Sequence, residues 1–562
     1  MSGHARRAAT ALLAAGALAV TTVGAAGAST VEHPGGHGSA AVANPGFTSG
    51  LDGWRASGDT GAAKADPEGH TAVGRLTHWS AEPYDVTTAQ TVSGLRDGWS
   101  TASAWVRSGG LNASTLSLTC GDDRAGRERD GRGSGRDRGR ERAVDGEVTL
   151  PQTLQDDAWV RVAVSAFVRD GDCELAVTTA DAVGGAWANV DDVALERGRV
   201  TRDVRGGDLS GLAKNEDAGA TYADADGEPG DAVRILAEAG MNLGRLKVWV
   251  DPADGYNEVT HVVESARRIE AAGMDVMVDF HYSDRWTDPG AQGVPAAWAG
   301  ASVEEMTHHL ADHTREVMTA LRSAGVSVEY AQVGNEINPG MLWPYGQTWD
   351  VDPGDGVDGA QWDALAGFLT AGHDAVKEVS PRTETILHLT NINNGIDSLT
   401  WWFDEVTARD VPFDVIGLSY YGYWHGSLAD LQGAVSTLSA RYDRDVMVVE
   451  TAYPFTLADD APAWENVIDL ESELVPGYPA TPEGQAAAYR AVQDVVAAAP
   501  GGRGLGTVYW EPAWTSVQGN GWDPEDPASG NAWENQAMFG HDGRLLAPVA
   551  AQLAPDPNPG RR

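Results

Sequence analysis

Two glutamates stand where a carboxylate is costly unless it is used. Glu336 lies in Gly334-Asn335-Glu336, directly after an apolar run ending at Val333. Glu450 closes the run Val446-Met447-Val448-Val449. A charge at the end of a buried strand is expensive unless it is paired or does chemistry. Taken singly, each has a bland reading as a salt-bridge or capping residue. Taken together they suit cleavage of a glycosidic bond. One carboxyl must be protonated to release the leaving oxygen, and the other must be ionised to attack the anomeric carbon. A separation of about 5–5.5 Å would mean retention of configuration. Glu336 is therefore expected as acid/base and Glu450 as nucleophile.

Such a pair needs supporting groups. Asn335 should share the cleft and bind the hydroxyl beside the reacting carbon. Arg245 is expected to hold Glu450 ionised and oriented, against a reading as a core ion pair. His281 and Tyr420 are candidates for hydrogen bonds to Glu450 or to the substrate, although a buried histidine is often satisfied by backbone. Trp343, Trp424, Trp510 and Trp514 are candidate sugar platforms, since indole offers a flat apolar face. For each tryptophan, core packing is the alternative.

The elements that must position these residues are legible as eight apolar runs. They are 204–209, 242–250, 275–280, 329–333, 385–389, 415–419, 446–449 and 506–509. Helical patterns fall between them at 231–239, 258–272, 303–324, 361–379, 398–408, 428–441 and 483–499, with a last helix expected after Leu546. Eight strands and their helices over this length predict an α/β fold, a (β/α)₈ barrel spanning 201–552. In such a barrel the site is built from strand C-termini and the loops after them. Those positions hold Asp279 to Trp286, Gly334 to Asn338, Ser419 to His425, Glu450 to Tyr453 and Trp510 to Trp514. Residues after Ala554 read as a frayed tail.

The N-terminal part differs. From Asn44 to about residue 198 the chain shows short alternating runs, such as Thr101 to Val106 and Trp159 to Val164, with no long helical segment. That pattern predicts an all-β sandwich. Residues 122–142 are Arg, Gly, Asp and Glu with almost no apolar residue, and read as a disordered loop within it. Cys120 and Cys173, the only two cysteines, are placed to form one disulfide. Arg6-Arg7, the apolar run Ala8 to Val23 and the site Ala26-Gly27-Ala28 read as a signal peptide over 1–28, followed by a linker over 29–43. A secreted, extracellular protein is expected, with no later membrane span.

Composition narrows the function. The net charge of −41 argues against nucleic acid and against an anionic membrane surface. None of the 14 histidines has a partner two positions away, so the H-x-H pair of a metal-dependent barrel hydrolase is missing. No G-x-S-x-G elbow supports a serine esterase. A non-catalytic glycan-binding barrel is disfavoured by the presence of both Glu336 and Glu450.

The motifs of the second part resemble glycoside hydrolase family 53, the arabinogalactan endo-β-1,4-galactanases. The resemblance runs from about Gly207 to Leu546. It is carried by Arg245-Leu246-Lys247-Val248-Trp249, Asp279-Phe280-His281-Tyr282-Ser283-Asp284 with Trp286, Gly334-Asn335-Glu336, Ser419-Tyr420-Tyr421, Val449-Glu450-Thr451-Ala452-Tyr453 and Trp510-Glu511-Pro512. Mannanase and cellulase barrels share Asn-Glu after the fourth strand, and the Phe-His-Tyr-Ser-Asp run separates this chain from them. The resemblance implies a retaining endo-hydrolase of β-1,4-galactan, with acid/base Glu336 and nucleophile Glu450. It implies no required cofactor, although family members often hold calcium in the loops after strands seven and eight. Here that stretch keeps Asp459 and Asn466 and lacks the expected histidine and one aspartate. The first part resembles jelly-roll carbohydrate-binding modules, from Asn44-Pro45-Gly46-Phe47 to Val190-Asp191-Asp192-Val193. Trp79, Tyr84 and Trp105 are its candidate sugar contacts. Galactan is the expected partner, and the protein is expected to be monomeric.

Overall fold

A computed structural model of the chain describes residues 42–71, 73–120, 144–169, 171–461 and 464–557. The signal peptide, linker residues 29–41 and the loop 122–142 lie outside the described residues. Ala43, expected in the linker, already belongs to the sandwich: its N–H donates to Gln90 Oε1 at 2.9 Å and its carbonyl accepts from Gln90 Nε2 at 3.2 Å.

The sandwich is two five-stranded antiparallel sheets. One runs Arg55–Gly58, Tyr84–Ser93, Asp172–Ala182, Ser114–Thr119 and Gly146–Thr149; the other runs Ala63–Asp66, Arg75–Trp79, Trp187–Arg197, Gly98–Gly109 and Val160–Val168. Strict alternation drives the packing. Val160–Val168 shows buried and half-buried residues in turn along its whole length, so every second side chain enters the core between the sheets. Cys120 and Cys173 are joined as a disulfide.

Eight parallel strands then close a barrel: β1 Val204–Asp208, β2 Leu243–Val248, β3 Asp275–Phe280, β4 Val328–Val333, β5 Glu384–Leu389, β6 Val415–Ser419, β7 Asp445–Thr451 and β8 Gly504–Tyr509. The outer helices are α1 Ala232–Ala239, α2 Val259–Ala271, α3 Val303–Ser323, α4 Trp362–Val379, α5 Ile396–Thr407, α6 Leu428–Tyr442, α7 Pro482–Ala497 and the short α8 Ala547–Ala550. Several starts follow from local chemistry. Ser302 with Glu305, and Ser427 with Asp430, form capping boxes that satisfy the first orphan N–H groups of α3 and α6. Thr481 caps α7 and Pro482 occupies its first turn.

The barrel interior is layered. Val204, Leu243, Met277, Tyr330, Ile386, Val415, Met447, Val449 and Val508 form an apolar plug near the strand starts. Two residues further along the strands, the same inward face carries Arg245, Asp279, Gln332 and His388, all buried. The polar layer at the barrel mouth is thus the plug's alternation continued.

The sandwich packs on α6 and α7. The Gln432 amide pairs with the Arg161 backbone in both directions at 2.8 Å. Arg161 also donates to the Ala498 carbonyl at 2.8 Å. Gln152 N–H donates to Tyr478 Oη at 2.8 Å, and Gln155 donates to the Gly422 carbonyl at 3.2 Å.

The expected frayed tail is corrected as far as Asp556. Leu553 is buried, and Asp556 accepts from the Arg202 N–H at 2.7 Å and from its Nε at 3.0 Å. Burial works against the Asp556 carboxylate, but the Arg202 guanidinium outweighs it and holds the group below the usual range. Its contribution is therefore present above the unfolded value near 4 and is lost as pH falls through the depressed folded value. Asp556→Ala is expected to cost about 2 kcal/mol at neutral pH in urea unfolding. The gap from the parent protein should close when the melts are repeated well below pH 4.

Candidate active site

The polar layer is organised by Arg245. Its Nη1 donates to Asp208 Oδ2 at 2.7 Å, and its Nη2 donates to Asp279 Oδ2 at 2.8 Å and to Asn335 Oδ1 at 3.0 Å. The same Nη2 lies 2.9 Å from Glu450 Oε1. Burial works against the guanidinium charge, but Asp279, Glu450 and Asp208 outweigh it and keep the arginine protonated. Gln332 donates to Asp279 Oδ1 at 2.5 Å and extends the network towards β5.

Glu450 reaches this layer through a register break. Val449 already points inward as part of the plug, so simple alternation would turn Glu450 outward. The β6–β7 pairing instead steps from Leu418↔Val448 to Ser419↔Glu450, leaving Val449 as the extra residue. This β-bulge re-aims the next side chain into the mouth. Glu336 is aimed by backbone geometry of another kind. Gly334 has φ +90° and Glu336 itself has φ +48°, a region that a non-glycine residue occupies at a cost.

The two glutamates meet at one hydroxyl. Ser419 Oγ donates to Glu336 Oε1 at 2.6 Å and lies 3.5 Å from Glu450 Oε2, which puts those carboxylate oxygens within about 6 Å of each other. Tyr421 Oη donates to Glu450 Oε2 at 3.3 Å. His388 completes the chain. Its Nδ1 receives the Glu336 N–H at 3.3 Å and the Gln332 amide at 2.9 Å, so its Nε2 carries the hydrogen donated to Ser419 Oγ at 2.8 Å. Burial keeps His388 neutral, well below its ordinary range.

Burial also raises both carboxyls. Glu336 is pushed up to about 7 by desolvation, with Asp288 adding like-charge repulsion and Ser419 opposing it. Glu450 is raised by desolvation and by Glu336, and is lowered by Arg245. Two close buried carboxyls share a proton. The Arg245 guanidinium touches Glu450 and not Glu336, so the charge belongs on Glu450 and the proton on Glu336.

The other expected site residues divide. Asn335 takes its place beside Arg245, and its amide donates to the Thr287 carbonyl at 2.7 Å. His281 does not reach Glu450. Its Nδ1 accepts from the Thr287 N–H at 3.1 Å, so its Nε2 donates to Asp279 at 3.0 Å. Tyr420 is corrected: its hydroxyl donates to the Gly426 carbonyl at 3.0 Å, and the neighbour Tyr421 is the one on Glu450. Trp343 is half-buried, with Nε1 donating to the Pro339 carbonyl at 3.0 Å. Trp424 is 42% exposed against Tyr421, Tyr423 and Trp533 and offers a free face. Trp510 and Trp514 are mostly buried and both lie against Trp286. Asp208, Asp279, Gln332, His388, Ser419 and Tyr421 have no individual role in the sequence reading, although Asp279, Ser419 and Tyr421 stand in its motifs. In the sandwich, Trp79 is 48% exposed, and Trp105 stacks on His70 at 4.0 Å. Tyr84 is core, its hydroxyl donating to the Ala186 carbonyl at 2.9 Å.

This is the arrangement of a barrel glycosidase, and residues 204–551 match the glycosyl hydrolase family 53 as a whole. The chain belongs to glycosyl hydrolase family 53. It is 32% identical over 377 residues to an endo-beta-1,4-galactanase of Bacillus subtilis (strain 168), covering 61% of this chain and 83% of that one. It is 34% identical over 343 residues to an arabinogalactan endo-beta-1,4-galactanase of Cellvibrio japonicus (strain Ueda107), covering 59% and 85%. Among solved structures it is similar to the Ignisphaera aggregans GH53 catalytic domain, with 34% identity, a TM-score of 0.58, and coverage of 62% of this chain and 95% of that one.

The calcium implied by the family resemblance can be tested against the loops after β7 and β8. Asn466 Nδ2 donates to Asp459 Oδ1 at 2.9 Å, so the two surviving ligand types engage each other. Asn466 Oδ1, and Glu534 Oε2 and Asn535 Oδ1 in the loop after β8, are buried without a hydrogen-bond partner among the described residues, which offers three oxygens. No three acidic, histidine or cysteine side chains are arranged to hold a metal ion, there or elsewhere among the described residues. Calcium takes about six to eight oxygens, more than these three side-chain atoms supply.

The two neighbouring tyrosines give a sharp test. Tyr421→Phe removes a hydrogen bond to a charged group and is expected to lower kcat/KM about 10- to 100-fold. Tyr420→Phe, which loses only its bond to the Gly426 carbonyl, is expected to leave kcat/KM within about threefold, at a cost of about 1 kcal/mol in stability.

Proposed function

We propose that this chain hydrolyses β-1,4-galactosidic bonds within the galactan chains of type I arabinogalactan and pectin, outside the cell, with retention of configuration. The observation that carries the reading is the single Ser419 hydroxyl within reach of both carboxylates. That spacing is shorter than the roughly 6.5–9.5 Å an inverting enzyme needs to seat a water between its carboxyls. The substrate is inferred from the galactanases of 32% and 34% identity. The extracellular setting is inferred from the signal-like first 28 residues and from the Cys120–Cys173 disulfide.

The chemistry follows from the proton balance. Glu450, ionised beside Arg245 and Tyr421, attacks the anomeric carbon and forms a glycosyl ester. Glu336 delivers its proton to the departing glycosidic oxygen, then takes one from the water that hydrolyses the ester. Ser419 serves both states. It donates to Glu336 when that carboxyl is charged; when Glu336 is protonated, the hydroxyl hydrogen is free to turn to Glu450. The sandwich is proposed to hold the same polymer through the sheet face that carries Trp79, Trp187 and Trp105, which are brought together by the pairings Trp187↔Trp79 and Asp191↔Trp105.

The test is reducing-end release from linear β-1,4-galactan, beside mannan, cellulose and xylan. Galactan alone should be cut, and Glu450→Gln should lower the rate by about four orders of magnitude. Cleavage of another polymer instead would overturn the substrate while leaving the glutamates their roles. Because the acid must carry its proton, kcat/KM should fall as pH rises through about 7, the value to which Glu336 is pushed. Asp288→Asn removes a repelling charge and should move that limb to lower pH.

A further inference from the structure

A second ion pair lies in the barrel mouth, and the mechanism above does not use it. Lys247 follows Arg245 by two residues on β2 and so points to the same interior. Its Nζ donates to Glu511 Oε1 at 2.9 Å, and both side chains are almost fully buried. Glu511 follows β8, has φ +43°, and accepts the Gly211 N–H at 3.1 Å on each oxygen. A Cβ at position 211 would come within 2.9 Å of the Glu511 carboxylate and would push it from this position. Burying such a pair costs more than an apolar pair of the same shape would, so stability is a poor reason for it.

The lysine's other neighbours are indoles. Lys247 Nζ stands 3.8 Å from the Trp286 ring centroid, 5.7 Å from that of Trp510 and 5.8 Å from that of Trp249. A desolvated ammonium over an indole face is a strong orienting contact. Trp286 in turn meets Trp510 at 5.6 Å and lies near-parallel to Trp514, 6.3 Å away. Trp510 also lies 5.7 Å from the Arg245 guanidinium, so this aromatic wall adjoins the catalytic cluster.

Its position assigns a side. The acid protonates the leaving oxygen, so the departing half of the polymer lies towards Glu336, after β4. The half that stays on Glu450 extends the other way, towards β8, which stands opposite β4, and towards β1 and β2, which follow β8 round the barrel. We propose that Lys247 and Glu511 are positioning residues that pin Trp286 and Trp510 as the wall of the sugar-binding subsite on the retained side. The proposal rests on the galactan-hydrolase reading. The pair sets how well the enzyme grips β-1,4-linked galactose units on that side, and leaves bond cleavage to the glutamates.

The decisive variant is Lys247→Met with Glu511→Gln, which removes both charges, keeps the volumes and strands no partner. Steady-state kinetics on linear β-1,4-galactan should show KM raised about tenfold with kcat within about threefold, and an unchanged circular dichroism spectrum. Lys247→Arg keeps a cation over Trp286 and should recover most of the KM. As a measure independent of turnover, β-1,4-galactotriose should bind Glu450→Gln about tenfold more tightly than the same protein carrying the double change. Unchanged KM and unchanged galactotriose affinity would overturn the positioning role while leaving the hydrolase reading intact. So would a loss confined to kcat, or a Lys247→Arg variant as weak as Lys247→Met. If the parent enzyme neither cuts galactan nor, as Glu450→Gln, binds galactotriose, both readings fall.

Discussion

A buried guanidinium is the constraint on which the barrel mouth depends. Arg245 has no exposed side-chain surface and meets the carboxylates of Asp208, Asp279 and Glu450. One cation cannot neutralise three anions, so the surroundings must supply the remaining support. Neutral donors do part of it: the Gln332 amide on Asp279 and the Tyr421 hydroxyl on Glu450. His281 donates to Asp279 from the other side. Glu336, which has no cation in contact, is raised by its own burial and by the charge of Asp288, and so holds a proton near neutrality. The two glutamates differ because only one of them touches the arginine.

Much of this was readable in the chain. The apolar runs located all eight barrel strands to within a few residues, because strands buried on both faces have no other way to be written. Glu336, Glu450, Asn335 and Arg245 stood out as polar residues at the ends of such runs. Gln332 and His388 were passed over, and Ser419 was named only within a motif, because they lie within strands, where a polar residue looks incidental. The signal was available: each sits two or four residues beyond a plug residue, Tyr330, Ile386 or Val415, and so on the same inner face. The same parity separates the tyrosines. With Ser419 inward, Tyr420 must turn out and Tyr421 in. Contacts set by loop paths, such as His281 with Thr287 and Asp279, have no such rule.

The aromatic residues show why composition was a weaker guide. Of the four tryptophans expected as platforms, Trp424 presents an open face, whereas Trp510 and Trp514 lie largely buried behind Trp286. Indoles in a barrel mouth are used in layers, some facing the cleft and some holding those that do. The sandwich adds contacts of its own, reaching the loop that carries Tyr421 through Gln155 and Gly422. The site is therefore braced from outside the barrel as well as from within.

The bulge on β7 has a consequence for how this segment can vary. Parity would recover every inward residue of the polar layer except Glu450, which directly follows the one surplus residue, Val449. Losing one residue between Met447 and Glu450 would restore a regular ladder and leave the glutamate two places after the inward Met447, still opposite Ser419 and still facing inward. What such a shortening removes is Val449, the plug residue directly before the carboxylate. The bulge lets an apolar plug residue and a carboxylate follow one another on the inner face, which a regular strand cannot do.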